Sequence, residues 1–254
     1  MSTNTKKLLV AGNWKMNNSL DEAVSLIQNI NSTIDSNPDV LQKADFLICP
    51  SYVHLAPVAQ IVDGGSVTLG AQDCSFDDNG AHTGDVSVQM LKDLGCEMVI
   101  VGHSERRHNC GEGSDVVAQK AMKAHKDGLI AIICVGETLE QRESGNAFSV
   151  VLEQLEVSIP KSATVENMVI AYEPVWAIGT GKVASSEDVK VMHETIAHYL
   201  KEKLDMGGAI RILYGGSVKP ENANDLSCIE HVDGFLIGGA SLKADSFVGI
   251  AQNI

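Results

Sequence analysis

The amino-acid sequence predicts an α/β protein in which eight parallel strands close into a single-domain (β/α)8 barrel. Three observations support this: eight short apolar or β-branched runs, helical periodicity between most of them, and polar or glycine-rich residues directly after five of them. Eight strand–helix units in 254 residues fit a closed barrel better than an open sheet. Because no linker rich in proline or serine interrupts the series, we expect one domain over residues 1–254, with residues 1–7 as a flexible N-terminal extension.

The predicted strands follow one another along the whole sequence. They are Leu8–Ala11, Phe46–Cys49, Val67–Ala71, Met98–Val101, Leu129–Val135, Met168–Tyr172, Ile210–Tyr214 and Gly234–Ile237. Apolar residues at a spacing near 3.6 predict a helix over Ser19–Ile34, and the helix-start sequence Ser-Ser-Glu-Asp predicts another over Ser185–Leu204. The helical pattern is weaker in the short segments His54–Asp63 and Ser87–Leu94.

The composition excludes several classes of protein. The net charge is −14 and no basic cluster exceeds Arg106-Arg107, which argues against a nucleic acid partner. No apolar run approaches the roughly 20 residues that span a membrane, and the first residues lack the apolar core of a signal peptide. The six cysteines are scattered without Cys-x-x-Cys spacing, as is typical of reduced thiols. We therefore expect a cytoplasmic protein.

Residues 171–181, with the sequence Ala-Tyr-Glu-Pro-Val-Trp-Ala-Ile-Gly-Thr-Gly, give the clearest indication of catalysis. Glu173 ends a predicted strand, and Pro174 restricts the residue before it to extended backbone. The segment Pro174–Ala184 then combines rigid and small residues, a composition that suits a lid with short hinges. A single glutamate at a strand end is more often an exposed surface residue, but a carboxylate fixed beneath a movable loop indicates an enzyme.

Four other polar or glycine-rich turns follow predicted strands. They are Asn13-Trp14-Lys15, Gly102-His103-Ser104-Glu105, Gly215-Gly216-Ser217 and Gly238-Gly239-Ala240-Ser241. In (β/α)8 barrels the carboxyl ends of the strands meet at one rim, where the catalytic groups gather. We therefore predict that these turns converge with Glu173.

Lys15, His103 and Glu105 each allow a structural and a functional interpretation. An isolated lysine is usually solvated, but Lys15 comes two residues after a buried strand, which favours a cation inside the site. An isolated histidine is more often structural, but His103 stands where a helix begins, and the positive end of the helix dipole favours a neutral imidazole. Glu105, flanked by basic residues, is predicted to pair with Lys15 or an arginine. The histidines lack ligand spacing, so no metal is expected.

The glycine-rich turns after the seventh and eighth strands predict a phosphate site. Glycine lets backbone N–H groups approach an anion, and helix N-termini point partial positive charge at it. One Gly-Gly pair is a weak indication, but two at the positions where these barrels bind phosphate, with a third Gly-Thr-Gly after the sixth strand, are a strong one. Because the net charge of −14 repels a dianion, the attraction must come locally from Lys15 and the backbone dipoles.

The chain closely resembles the triosephosphate isomerase family along nearly its whole length. The matching segments are Val10–Asn17, Val101–Arg107, Cys134–Leu139, Ala171–Gly181, Leu213–Pro220 and Asp233–Leu242, in the family's order. The resemblance implies a TIM barrel that interconverts dihydroxyacetone phosphate and D-glyceraldehyde 3-phosphate through an enediolate, in glycolysis and gluconeogenesis. It also implies a homodimer that needs neither cofactor nor metal.

The resemblance also implies roles for individual residues. Glu173 would be the base that removes the proton, and His103 would polarise the carbonyl and carry protons between the two oxygens. Lys15 would stabilise the negative charge that develops, and Asn13 would orient Lys15 and the substrate. The phosphate would be held by backbone N–H groups of Gly179, Ser217, Gly238 and Gly239.

The family's dimer arm corresponds to residues 72–85, and here the sequence departs from the family pattern. His82 stands where many relatives have an aromatic residue, and Asp85 where many have glutamate; Cys110 also replaces a common aromatic residue. These departures concern the interface rather than the catalytic residues. We expect the arm to cross into the second subunit.

Two alternative functions stay open at this stage. One is another phosphate-binding barrel enzyme, such as an aldolase or a sugar-phosphate isomerase. A Schiff-base enzyme would need a lysine on a central strand, and the fourth to seventh predicted strands contain none. The other is a barrel that only binds metabolites or proteins, which would not need Asn13, Lys15, His103 and Glu173 together.

Overall fold

A computed structural model describes residues 7–178, 184–206 and 210–254 of the chain. In these residues eight parallel strands pair in sequence order, and the last returns to pair with the first. The strands are β1 (Leu8–Asn13), β2 (Ala44–Cys49), β3 (Val67–Ala71), β4 (Met98–Val101), β5 (Ile130–Val135), β6 (Met168–Tyr172), β7 (Arg211–Tyr214) and β8 (Gly234–Ile237). The predicted closed barrel is confirmed. Of the predicted N-terminal extension, residues 1–6 lie outside the described part.

The predicted strand positions agree with the structure within two residues. Both ends agree with the prediction in four strands, β3, β4, β6 and β8. β1 extends to Asn13, because Gly12 and Asn13 continue the ladder opposite Ile48 and Cys49.

Helices follow the strands and cover the outside of the barrel. They are α1 (Leu20–Ser36), α2 (Val40–Lys43), α3 (Tyr52–Val62), α4 (Val88–Asp93), α5 (Ser104–Asn109), α6 (Ser114–Asp127), α7 (Leu139–Glu143), α8 (Ala147–Ser158), α9 (Ser186–Leu204), α10 (Pro220–Ser227) and α11 (Ala244–Gln252). Short 3₁₀ turns occupy Val175–Ala177 and Gly239–Leu242. No helix in the described part is long and apolar enough to cross a membrane.

The two helices predicted most strongly begin with complete capping boxes. Ser19 accepts from the backbone N–H of Glu22, whose side chain accepts from the backbone of Ser19, and Ser185 and Asp188 do the same at α9. These bonds satisfy N–H groups that the first turn of a helix leaves without a partner. The apolar stripe of α1 then packs on the barrel through Ala23, Leu26, Ile27, Ile30 and Ile34.

The core has two layers, because successive strand residues point to opposite faces. In β1, Leu9 and Ala11 lie inside the barrel, whereas Val10 packs outward against the helices. In β6, Val169 and Ala171 lie inside in the same way. Asn13 and Glu173 continue these inward series at the carboxyl ends of β1 and β6. The alternation therefore places both polar side chains at the mouth of the barrel.

Candidate active site

A pocket of about 720 Å³ opens at the carboxyl ends of the strands. The predicted site residues that line it are Asn13, Lys15, His103, Glu105, Glu173, Ser217, Gly238 and Gly239. They come from the ends of five strands, as predicted from the turns that follow those strands. Gly179 and residues 180–183 of the predicted lid lie outside the described part of the chain.

Glu173 is held by its backbone and by both of its carboxylate oxygens. Its backbone N–H donates to the carbonyl of Val135 at 2.8 Å, and its side chain is only 2% exposed. Oε2 accepts from the backbone N–H of Ser104 at 2.9 Å. Oε1 lies 2.9 Å from Nε2 of His103. The carboxylate is therefore buried, yet each of its oxygens has a hydrogen-bonding partner.

Two glycines make this placement of Glu173 possible. A Cβ atom on Gly136 would lie 1.8 Å from the carbonyl oxygen of Glu173, and a Cβ on Gly215 would lie 2.9 Å from its Cγ. The first contact is with backbone, which cannot move aside locally. Residue 136, which lies between β5 and Glu137, must therefore be glycine for the end of β6 to approach β5 so closely.

His103 directly precedes α5, and its two ring nitrogens have different partners. Nδ1 accepts from the backbone N–H of Glu105 at 3.2 Å, which places the imidazole proton on Nε2. Nε2 then donates to Oε1 of Glu173 at 2.9 Å. The ring therefore presents its Nε2 proton to the carboxylate at the base of the pocket.

The pKa values of His103 and Glu173 depend on each other. Burial would lower the pKa of His103, but the adjacent Glu173 carboxylate outweighs burial and raises that pKa. Burial would likewise raise the pKa of Glu173, but His103, the Ser104 N–H and the charge of Lys15 together hold it below its ordinary value. Glu173 is therefore ionised at neutral pH although it is buried.

Lys15 adopts a backbone conformation that is unfavourable for a residue with a side chain. Its φ is +51°, in the left-handed region, which costs roughly 1–2 kcal/mol. Three hydrogen bonds hold it there: its N–H donates to Oδ1 of Asn13 at 3.0 Å, and its carbonyl accepts from Oγ of Ser51 at 2.8 Å and Nε2 of Gln72 at 2.9 Å. Its Nζ lies 2.6 Å from Oε1 of Glu105. Backbone strain concentrated at a pocket lysine points to a functional requirement.

Sequence reasoning missed Ser51 and Gln72, which fix the backbone of Lys15. Both follow strand ends, Ser51 two residues after β2 and Gln72 directly after β3. The pattern that revealed the other turns, a polar residue just beyond an apolar run, could have found them. Arg107 was also missed: it donates to the carbonyls of Gly102 and Cys134 and so ties the turn that carries His103 to β5.

A second buried carboxylate organises the segment that follows Glu173. Glu137 is fully buried, and its Oε1 accepts from Nε1 of Trp176 at 2.8 Å, from the hydroxyl of Tyr172 at 3.2 Å and from Arg142 at 3.3 Å. The Arg142 guanidinium also lies 4.8 Å from the centre of the Trp176 ring. These contacts anchor the start of the predicted lid at residues that the sequence did not single out for this role.

Among the described residues, one group of histidine and acidic side chains is close enough to hold a metal ion. Asp77, His82 and Asp85 have ligand atoms within 4.8 Å of one another. They lie on the arm rather than in the pocket, and His82 and Asp85 are exposed. In the pocket, His103 contacts Glu173 and Glu105 contacts Lys15. Glu221 is a further carboxylate in the pocket lining.

Comparisons with known proteins agree on one family. The family model described as triosephosphate isomerase matches residues 8–254. The triosephosphate isomerase of Bartonella henselae is 48% identical over 253 residues (99% of this chain, 98% of the relative), and that of Xanthobacter autotrophicus is 47% identical over 249 residues (98% and 97%). The crystal structure of the Bartonella henselae enzyme superposes with a TM-score of 0.88 at 45% identity, covering 97% of this chain and 98% of that one. The chain therefore belongs to the triosephosphate isomerase family.

Proposed function

We propose that the chain interconverts dihydroxyacetone phosphate and D-glyceraldehyde 3-phosphate by moving a proton between neighbouring carbons through an enediolate. The observation that carries this proposal is the pair formed by Glu173 and His103. A buried, ionised carboxylate lies 2.9 Å from an imidazole N–H at the base of a pocket that Lys15 also lines. Family membership and the geometry support the same reaction.

Proton transfer follows from the two partners of Glu173. A substrate carbonyl takes the place of Oε1 as the acceptor of the His103 Nε2–H, which polarises the carbonyl and releases one carboxylate oxygen. Glu173 then removes the proton from the carbon next to the carbonyl and returns it to the neighbouring carbon. A positioned acid or base contributes roughly 10²–10⁴-fold to such a step. His103 moves a proton between the two oxygens of the enediolate.

Charge stabilisation and phosphate binding are assigned to the rest of the rim. Lys15, oriented by Asn13, stabilises the negative charge of the enediolate, an electrostatic contribution that is often the largest single one in catalysis. The turns with Ser217, Gly238 and Gly239 hold the phosphate by their backbone N–H groups, together with Gly179 of the lid. Glu105 supports the site by fixing the ammonium group of Lys15, to which it lies at 2.6 Å.

The experiment is an assay in D₂O started from dihydroxyacetone phosphate. Glyceraldehyde 3-phosphate is measured with a coupled dehydrogenase, and deuterium uptake at the carbon next to the carbonyl is followed by NMR. Wild-type protein is expected to form product and to incorporate deuterium, and Glu173→Gln, which keeps the shape but removes the base, should do neither. Wild-type protein without isomerase activity would overturn the proposal.

We also propose a homodimer in which the arm, residues 72–85, crosses the interface. Its tip, residues 78–85, is exposed throughout, whereas Lys120 fixes its root at Asp73 and Lys123 pairs with Asp78. Three apolar side chains are also exposed: Phe76 on the arm itself, and Met16 and Val53 shortly after the ends of β1 and β2. An exposed tip on a fixed root suits insertion into a second copy, with Thr83 close to the loops that bear Asn13 and His103.

Deleting residues 79–84 tests this assembly. Sedimentation should show a monomer with much lower activity, because the loops with Asn13 and His103 would lose their support. A deletion variant that remains dimeric would remove the arm from this role. We further propose that residues 1–254 form one domain and that the protein acts in the cytoplasm.

A further inference from the structure

The wall of the pocket extends beyond the phosphate turns to two exposed lysines. Lys219 follows the turn after β7 and Lys243 follows the turn after β8, and both line the pocket. Each is the residue that immediately precedes a helix: Lys219 before α10 and Lys243 before α11. The two lysines therefore follow neighbouring strands, and both are exposed in the wall of one opening.

Among the described residues that line the pocket, Lys219 and Lys243 are the cations without a carboxylate within ion-pair distance. The ammonium of Lys15 is 2.6 Å from Glu105, and Glu173 is paired with His103 at 2.9 Å. In the described part of the chain, neither Lys219 nor Lys243 forms an ion pair; the carboxylates nearest in sequence are Glu221, which also lines the pocket, and Asp245. The outer edge thus carries exposed positive charge on a chain whose net charge is −14.

Lysine is a poor choice at these two positions for the stability of the helices. Ser, Thr, Asp and Asn are preferred before a helix because their side chains accept from its first N–H groups. A cation there also faces the positive end of the helix dipole, at roughly 0.3–1 kcal/mol. The chain places serine at the equivalent positions of α1 and α9, Ser19 and Ser185, which build full capping boxes. Two neighbouring departures from a stabilising pattern, both at one pocket, indicate a functional use of the charge.

We propose that Lys219 and Lys243 guide the dianionic triose phosphate into the pocket. They act through their electric field at the mouth, not on the reacting atoms, and this role rests on the proposed isomerase function. Charge of one sign around a cleft raises the association rate of an oppositely charged ligand by about 10–10³-fold at low salt. On a strongly acidic protein, this local field offsets the general repulsion of a dianion.

The test compares two double variants with the same net charge. Lys219→Gln with Lys243→Gln removes the two charges at the mouth. Lys161→Gln with Lys203→Gln removes two exposed charges near the C-terminal ends of α8 and α9, at the opposite end of the barrel from the pocket. At about 0.01 M ionic strength, where charges act over roughly 30 Å, kcat/KM should fall about 5- to 10-fold for the mouth variant and less than about twofold for the control. The kcat value should stay unchanged.

Salt dependence separates guidance from a structural role. Near 1 M salt, where screening leaves a range of roughly 3 Å, the mouth variant should match the wild type. Inorganic phosphate, used as a competitive inhibitor at low salt, should bind the mouth variant more weakly by a similar factor. Lys219→Ser with Lys243→Ser restores a favourable residue before each helix and should lose kcat/KM equally while melting at or above the wild-type temperature.

Three results would overturn the proposal. They are an equal loss in the mouth and control variants, a loss that persists at 1 M salt, and a loss in the glutamine variant that the serine variant does not share. Absence of isomerase activity in the wild type is a different outcome, because it removes the proposed function itself and is seen before any variant is made.

Discussion

His103 and His193 are both buried, but they lie in opposite kinds of environment. His103 has a charged partner, Glu173, that raises its pKa, and its Nε2–H points into the pocket. His193, in α9, is fully buried, and burial lowers its pKa to about 4. Its Nδ1 lies 2.9 Å from the carbonyl of His231, and in the described part of the chain its Nε2 has no hydrogen-bonding partner. The same residue type therefore faces the pocket beside a carboxylate in one place and, among the described residues, is enclosed without a charged partner in the other.

The end of β6 separates the two regions. Glu173 follows the inward series and contacts His103, whereas the adjacent Tyr172 points outward and packs edge-on against His193 with ring centres 5.9 Å apart. Tyr214 of β7, which pairs in register with Tyr172, has its ring centre 6.4 Å from that of the same imidazole. Successive side chains of a strand point to opposite faces. At the barrel mouth, those that point inward therefore line the pocket, and those that point outward pack against the helices. Substitutions inside the mouth should reduce activity without unfolding the protein. Substitutions outside it should reduce stability without reducing the activity of the folded protein.

The largest expected effect inside the mouth is that of Lys15→Met. Removing a group that stabilises developing charge costs about 10²–10³-fold in rate. We expect a loss of about 10³-fold here, because Lys15 is partly buried whereas Lys219 and Lys243 are exposed. The melting temperature, measured by circular dichroism, should stay close to the wild-type value. A variant that instead melts far below wild type would make Lys15 a structural residue.

Glu173→Asp should come next. The shorter side chain withdraws the carboxylate by about one ångström, and misplacement on that scale costs about 10²-fold. The loss should appear mainly in kcat, with a modest change in KM, because the phosphate-binding turns are untouched. An unchanged kcat would remove Glu173 from the role of base.

Outside the mouth, His193 should make stability depend on pH. Its pKa of about 4 in the folded protein lies below its unfolded value of 6.5. The neutral ring therefore contributes fully to the free energy of unfolding above pH 6.5, and this contribution is lost as the pH falls toward 4. At pH 5 the loss is about 2 kcal/mol, since each unit of pKa difference corresponds to about 1.4 kcal/mol. His193→Gln removes the titrating ring and keeps a polar side chain of similar length.

The measurement is urea unfolding at pH 7.5 and pH 5, at one protein concentration. The wild type should lose more unfolding free energy between the two pH values than His193→Gln does. Wild-type kcat in the variant at pH 7.5 would show that this region is separate from the chemistry. Equal losses in both proteins would show that His193 does not set the acid sensitivity.

The barrel and its main site were predictable because both depend on local patterns. Apolar runs of strand length define the eight strands, and the rule that chemistry gathers at their carboxyl ends identifies Glu173, His103 and Lys15 without contact information. Ser19 and Ser185 likewise mark two helix starts by a local hydrogen-bonding pattern. Features of this kind depend only on residues that are neighbours in the sequence.

Contacts between distant segments could not be predicted in this way. The approach of Gly136 to the Glu173 carbonyl joins two strand ends 37 residues apart, and no local pattern reports it. The left-handed backbone of Lys15 depends on Ser51 and Gln72, which reach it from two other strands. The partners of a buried group, and therefore its pKa, exist only after the chain closes.

Removing the Ser104 N–H alone should give the smallest effect and the sharpest test of the Glu173 environment. Ser104 is the first residue of α5, so its N–H is not needed inside the helix, and it donates instead to Oε2 of Glu173. Lactic acid at position 104, incorporated by nonsense suppression, replaces this N–H with an ester oxygen and matches Ser104→Ala in every other atom. Because the lost bond helps to lower the pKa of Glu173, its loss raises this pKa.

The acid limb of the kcat/KM profile should therefore move to higher pH in the lactic acid variant, with a fall of about tenfold at neutral pH, since a hydrogen bond to a charged group contributes about 1.5 kcal/mol or somewhat more. Ser104→Ala is the matched control, because it removes the hydroxyl but keeps the N–H, and its profile should coincide with that of the wild type. A profile that moves in the alanine variant, or stays fixed in the lactic acid variant, would show that the Ser104 N–H does not set the protonation of the base. The tuning of Glu173 would then come from His103 and Lys15 alone.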